Sequence, residues 1–152
     1  MQNRLKLKTL PFCFLAVGAV ALSGMAFKPG AWYASIAKPF WTPPNLVFPV
    51  AWTILYILIA VAGAILFSQP DRTQKLLWVM QLGFNGLWSW LFFGRHWVLP
   101  GFLDMLLLLA TIAWLVRRVS DSRIAAWLLA PYLVWVAYAS TLNLGIYLLN
   151  PH

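Results

Sequence analysis

The sequence predicts an all-α integral membrane protein, a five-transmembrane-helix bundle formed by one domain over residues 1–152. Two observations predict it. Charged residues make up 9% of the chain and hydrophobic ones 62%, whereas a soluble domain carries about 25% charged residues. The second is the spacing of those charges. Lys8 to Lys28 encloses 19 residues without Asp, Glu, Lys or Arg, Lys38 to Asp71 encloses 32, Lys75 to Arg95 encloses 19, and 29 follow Arg123. Arg95 to Arg117 is a further apolar stretch, interrupted only by Asp104. Since about 20 apolar residues cross the hydrocarbon of a bilayer, five spans follow.

The first span, about residues 9–27, follows Arg4-Leu5-Lys6-Leu7-Lys8, a pattern also seen at the start of signal peptides. Its apolar run of 19 residues is longer than a signal peptide's usual core, and no small-x-small cleavage site stands near Gly24-Met25-Ala26, so the helix is expected to be retained. Ala16, Ala19, Ser23 and Ala26 make a small-residue stripe suited to close helix packing. A long connection, about 28–43, follows as a lid loop with Lys28, Pro29, Gly30, Lys38 and Pro39. The second span, about 45–67, opens after Pro43-Pro44, where a missing N–H costs nothing. Gln69-Pro70-Asp71 breaks the chain before the third, about 75–94. The fourth covers about 97–117, and Ser120-Asp121-Ser122 supplies a cap before the fifth, about 123–149.

Several functions drop out with the composition. There is no Glu, and Asp71, Asp104 and Asp121 lie far apart, which disfavours a paired-carboxylate site. Cys13 is alone, and His96 and His152 form no ligand cluster, so no metal site is expected. The net charge of +8 sits in short loops between apolar spans, the pattern that orients membrane proteins rather than one that binds nucleic acid. Eight of the eleven Lys and Arg residues fall at the N-terminus, the second loop and the fourth loop. In an inner membrane this places the N-terminus in the cytoplasm and the lid loop on the opposite side.

The ten tryptophans are not one population. Trp78, Trp90, Trp97, Trp114 and Trp127 lie near helix ends and read as an interfacial belt. Trp52 lies seven residues into its helix, about 10 Å deep, and Trp135 lies mid-helix; an indole N–H there calls for a partner inside the bundle. Helical spacing sets Asn45, Phe48, Tyr56 and Gly63 beside Trp52, and Pro131, Tyr132, Ala139 and Asn143 beside Trp135. Trp78, Gln81, Asn85, Trp88 and Ser89 form a third polar-aromatic face. Asp104, the only charge within a span, is a functional candidate by default. Trp52, Asn85, Trp88, Asp104 and Asn143 fall in the half of the membrane beneath the lid, which points to a pocket for a flat, largely apolar ligand. The alternative is that the amides tie helices together, and that Asp104 caps a helix or pairs with Arg95.

The residues also resemble a known family. Trp32-Tyr33, Lys38-Pro39-Phe40-Trp41-Thr42-Pro43-Pro44, Val47-Phe48-Pro49 and Trp52 are similar to the first-loop and second-helix signature of the translocator protein family (TspO/MBR, the peripheral-type benzodiazepine receptor group). Asn85, Trp88 and Leu91-Phe92-Phe93-Gly94 resemble its third-helix motif, Asp104 its fourth-helix Asp, and Pro131-Tyr132-Leu133-Val134-Trp135 with Ala137, Ala139, Leu142 and Asn143 its fifth-helix motif. The resemblance implies a five-helix bundle, usually homodimeric, that binds porphyrins such as protoporphyrin IX as ligands rather than as a resident cofactor. It implies ligand-binding roles for Tyr33, Trp41, Phe48, Trp52, Asn85, Trp88, Asp104, Trp135, Ala139 and Asn143. It also implies roles for Trp52 and Trp135, with Tyr33, in light-dependent porphyrin breakdown. Tyr147 is followed by Leu148-Leu149-Asn150-Pro151-His152, so the cholesterol pattern of animal members is missing. That absence argues against steroid transport, and the lack of an animal-type basic C-terminus favours a bacterial envelope.

Three functions follow as expectations: a membrane-embedded tetrapyrrole-binding protein that senses, regulates or transfers porphyrins; a photo-oxidative porphyrin-degrading enzyme; and a small transporter of lipophiles or sterols. Active transport finds only Asp104 as a proton carrier and no inverted repeat. Partners expected are membrane lipid and a second copy of the chain, through the small stripe of the first helix or Ala60 and Ala64 of the second.

Overall fold

A computed structural model describes residues 8–119 and 123–151. Its elements are helical: α1 (Leu10–Ala26), α2 (Ala31–Ser35), α3 (Val47–Phe67), α4 (Arg72–Ser89) continued by a π-helical turn (Trp90–Gly94), α5 (Val98–Arg118) and α6 (Arg123–Leu149). Helices α3, α4 with its π turn, α5 and α6 are long and apolar enough to cross a membrane; α1 is a shorter apolar helix of 17 residues.

The long helices close a ring in the order α1, α3, α6, α5, α4, with α4 returning to α1 and α3 touching α4 across the middle. Inside lie Ile59, Leu66, Met105, Leu108, Ile112, Leu115, Leu129 and Tyr132. Outside, Leu15, Leu22, Ile54, Leu107, Trp114, Val134 and Leu148 stand exposed on every flank. An apolar exterior of that extent suits acyl chains, not water.

Helix boundaries follow local chemistry. The third span starts at Arg72, earlier than the expected 75, because Asp71 is itself the cap: its carboxylate accepts from the Thr73 N–H at 2.8 Å and the Gln74 N–H at 3.3 Å. The second span starts at Val47. Pro44 opens a turn closed by the Val47 N–H on its carbonyl at 2.9 Å, and Pro49 takes the first-turn proline position expected of Pro43-Pro44. The lid loop contains α2, which the sequence reading did not anticipate. The cap assigned to residues 120–122 lies outside the described residues, as do Arg4 and Lys6.

Two expectations are corrected. Trp78 is not part of an interfacial belt: it is fully buried, and its indole N–H donates to the Ile59 carbonyl at 3.0 Å. Gly63 makes the room, since a Cβ there would lie 2.5 Å from the indole. Trp90, Trp97, Trp114 and Trp127 are exposed as a belt requires. Ala60 and Ala64 are fully buried within the bundle and so cannot form a dimer face.

Candidate ligand site

Helix α3 carries Phe48, Trp52 and Tyr56 one turn apart, a spacing that aligns them on one face. That face meets Tyr132 and Trp135 of α6. The Trp52 and Trp135 ring centroids are 6.4 Å apart and nearly perpendicular, and Trp52 meets Tyr132 edge-on at 6.2 Å. Trp52 also stacks on Tyr56 at 5.4 Å, while Trp135 contacts Phe48 at 6.0 Å and Tyr138 at 5.7 Å. These are favourable aromatic geometries. The Trp135 indole N–H is buried and has no partner. Ala139 is half-buried one turn further along α6.

Behind the aromatics runs a polar chain. The Tyr56 hydroxyl donates to Asn85 Oδ1 at 3.2 Å, Asn85 Nδ2 donates to the Tyr132 hydroxyl at 2.8 Å, and that hydroxyl donates to Gln81 Oε1 at 2.8 Å. Gln81 Nε2 ends the chain on the Trp78 carbonyl at 2.9 Å. A second tie joins three helices: Trp88 Nε1 donates to Asn143 Oδ1 at 3.0 Å, and Asn143 Nδ2 to the Val98 carbonyl at 3.1 Å. In lipid no water can satisfy these groups, so they satisfy one another. Asn85, Trp88 and Asn143 are thus fastened between helices, while Phe48, Trp52 and Trp135 face one another.

Asp104 is buried in α5, and neither carboxylate oxygen has a partner. It neither caps a helix nor pairs with Arg95, whose guanidinium lies instead over the Trp97 ring at 4.7 Å and the Trp90 ring at 6.0 Å.

The lid is strapped to the C-terminal half of α6. The Ala37 N–H donates to Asn150 Oδ1, and Asn150 Nδ2 donates to the Ala37 carbonyl, both at 3.0 Å. Trp41 Nε1 donates to the Thr141 hydroxyl at 3.2 Å, and the Trp41 carbonyl accepts from the Tyr138 hydroxyl at 2.7 Å. Pro39 sits against Gly145, where a Cβ would collide with its ring. Tyr33, on α2, is buried edge-on against Phe92 at 6.4 Å and Phe93 at 5.5 Å. Burial pushes its phenol above the ordinary value, and nearby Tyr138 adds to the rise. The sequence reading missed Tyr138, Thr141, Gly145 and Asn150; only their helical spacing along the end of α6 could have signalled them.

Two hollows adjoin this region. A groove of about 550 Å³ runs along α6, lined by Trp127, Ala130, Pro131, Val134, Trp135 and Tyr138. A hollow of about 570 Å³ lies in the lid, between Tyr33 and Lys38 on one side and Thr42 to Asn45 on the other.

The TspO/MBR family model matches residues 9–149. The chain belongs to the TspO/MBR family. It is 42% identical over 153 residues to the tryptophan-rich protein TspO of Archaeoglobus fulgidus, covering 98% of this chain and 99% of that protein. It is 37% identical to protein CrtK of Rhodobacter capsulatus, over 91% and 90% of the two chains. The tryptophan-rich sensory protein of Cereibacter sphaeroides is also 37% identical, over 89% and 87%. Membership in the TspO/MBR family and the apolar helices together make this a multi-pass membrane protein.

Proposed function

We propose that this protein binds a tetrapyrrole of the protoporphyrin IX type against Trp135 and Trp52, and that it acts in sensing, regulating or transferring such ligands. The observation that carries the reading is the crossed Trp52–Trp135 pair with the unpartnered Trp135 N–H. The adjoining groove of about 550 Å³ lies within the usual size range of ligand sites, and its aromatic wall suits a flat, apolar plate. A relative named a tryptophan-rich sensory protein supports the sensing role. In this reading α1 completes five spans, the N-terminus is cytoplasmic in a bacterial envelope, and a second copy docks on the exposed face of α1.

Titration of detergent-purified protein with protoporphyrin IX should quench Trp fluorescence saturably. Trp52→Ala and Trp135→Ala should each weaken binding at least about fivefold, from the loss of stacking. Unchanged affinity in both variants defeats the reading.

The 6.4 Å separation of the two indoles favours a second activity, light-dependent breakdown of the bound macrocycle. The excited ring takes an electron from Trp135, and the resulting indole radical cation can be shared with Trp52 and with Tyr33 of the lid. Dioxygen adds to the macrocycle radical anion, and the adduct returns the electron to the indole as the ring opens, so that the net reaction is macrocycle plus dioxygen with the tryptophans regenerated. Under illumination the porphyrin band should decay more slowly with Trp135→Phe, and a wild-type rate there removes this activity.

A further inference from the structure

The groove along α6 opens outward and carries a cation at one end. Its lining side chains are aromatic, aliphatic or proline, from Trp127 through Ala130, Pro131 and Val134 to Trp135 and Tyr138. Trp127 is 76% exposed and Val134 69%, so in a membrane the groove meets acyl chains rather than water. From Trp127 to Tyr138 is eleven residues, about 16 Å of helix. That is close to half of a hydrocarbon core about 30 Å thick, so the groove has the length of one leaflet's acyl chain.

Arg123 opens α6 and precedes Trp127 by four residues, which sets it on the groove face one turn beyond the indole. It is exposed, and among the described residues no carboxylate pairs with it: Asp71 is paired with Arg118 at 3.0 Å, and Asp104 is buried within α5. Trp127 belongs to the interfacial belt, so the guanidinium one turn outward lies at headgroup level, where its fork of N–H donors suits a phosphate. A soluble anion would pair with Arg123 and leave the groove unfilled. A zwitterionic lipid would fill the groove but bring a cation of its own beside Arg123. A phospholipid with net negative charge fits both ends.

We propose that the α6 groove binds one anionic phospholipid, with an acyl chain along Trp127 to Tyr138 and the headgroup phosphate on Arg123. This does not rest on the tetrapyrrole reading. A flat ligand on Trp135 and the end of the acyl chain would share the inner part of the groove, so lipid binding is measured without porphyrin.

Native mass spectrometry of the full chain in neutral detergent can count bound phosphatidylglycerol and phosphatidylcholine carrying the same acyl chains. Wild type should hold one phosphatidylglycerol, about fivefold more tightly than phosphatidylcholine, the worth of one cation near an anionic headgroup. Arg123→Gln should lose that preference while binding phosphatidylcholine as wild type does, which also shows that the variant is folded. Arg117→Gln, at the same end of the bundle but on α5, should keep it. Ala130→Phe, which fills the groove, should weaken both lipids alike. Equal affinity of wild type for the two lipids, a preference undiminished in Arg123→Gln, or one lost equally in Arg117→Gln overturns the proposal. Displacement by glycerol 3-phosphate would assign the cation to a free headgroup and overturn it too. Loss of a dimer instead of lipid in Ala130→Phe would assign the groove to a second copy, with the same result. With porphyrin absent, none of these outcomes bears on the tetrapyrrole reading.

Discussion

Tyr132→Phe removes one oxygen and leaves the ring that meets Trp52 edge-on at 6.2 Å. That oxygen accepts from Asn85 Nδ2 and donates to Gln81 Oε1, both at 2.8 Å, in a fully buried position. Its loss strands one donor and one acceptor on α4. Hydrogen bonds between membrane helices contribute about 0.6 kcal/mol on average and about 1.7 at most, so two of them give a loss of about 1–3 kcal/mol. With about 2–4 °C per kcal/mol for a chain of this size, the melting temperature in detergent should fall by about 3–10 °C. Tyr56→Phe is the control, since it breaks a single, longer bond of 3.2 Å to Asn85 Oδ1, and should cost no more than half as much. Porphyrin affinity at a temperature where both proteins are folded should change less for Tyr132→Phe than for Trp135→Ala. A Tyr132→Phe protein as stable as wild type, or less affected than Tyr56→Phe, would refute the view that this hydroxyl ties α4 to α6.

Asp104→Leu should raise stability by about 1–3 kcal/mol, because it removes two buried oxygens that have no partners; a clear fall of the melting temperature in calorimetry would show that the carboxylate is satisfied after all. Gly145→Ala places a methyl against the Pro39 ring, so limited proteolysis should cut residues 37–44 faster while the bundle melts nearly as before. At Asp71, partial desolvation raises the carboxyl, but hydrogen bonds from the Gln74 N–H, the Arg118 side chain and the Thr73 N–H, with the Arg118 charge, outweigh it and hold it below the usual 3.8. Its contribution to stability is therefore complete above that value and is lost as pH falls through the lowered one. Melting curves of wild type and Asp71→Asn should differ at neutral pH and converge in acid, and a constant gap at all pH values would remove the ionised cap from the account.

The helices were legible because charge is so scarce that its positions nearly draw the loops: Lys38 to Asp71 encloses α3, and Arg123 opens α6. Faces were legible from spacing, which set Phe48, Trp52 and Tyr56 together and Tyr132 with Trp135. Depth was less so. Trp78 sat near a presumed helix start, but Asp71 lengthens that helix by three residues, and Gly63 opens a slot for the indole on the neighbouring helix. Nothing local in the sequence pairs residue 63 with residue 78. Satisfaction of polar groups was illegible for the same reason. Asn85 and Asp104 look alike as buried polar residues in apolar helices, and only packing shows that one has partners on two other helices and the other has none.

That difference separates scaffold from site more sharply than polarity or depth does. A bundle in lipid can keep a polar side chain inside by pairing it, and Gln81, Asn85, Tyr132, Trp88 and Asn143 follow that rule. Each of these groups tightens the contacts among α3, α4, α5 and α6, and an apolar replacement of matched shape could in principle do the same. Trp135 and Asp104 break the rule, because a buried indole N–H and a buried carboxylate without partners are both unfavourable. A phenylalanine at 135 would keep most of the ring contacts and avoid the stranded donor. The buried N–H of this indole therefore does not stabilise the isolated chain, and the ring lies on the wall of the groove of about 550 Å³. If Trp135→Phe proves more stable than wild type yet binds protoporphyrin IX less well, the stability cost and the affinity reside in the same nitrogen. If it is less stable and binds equally, the indole belongs to the scaffold and the ligand must be sought elsewhere.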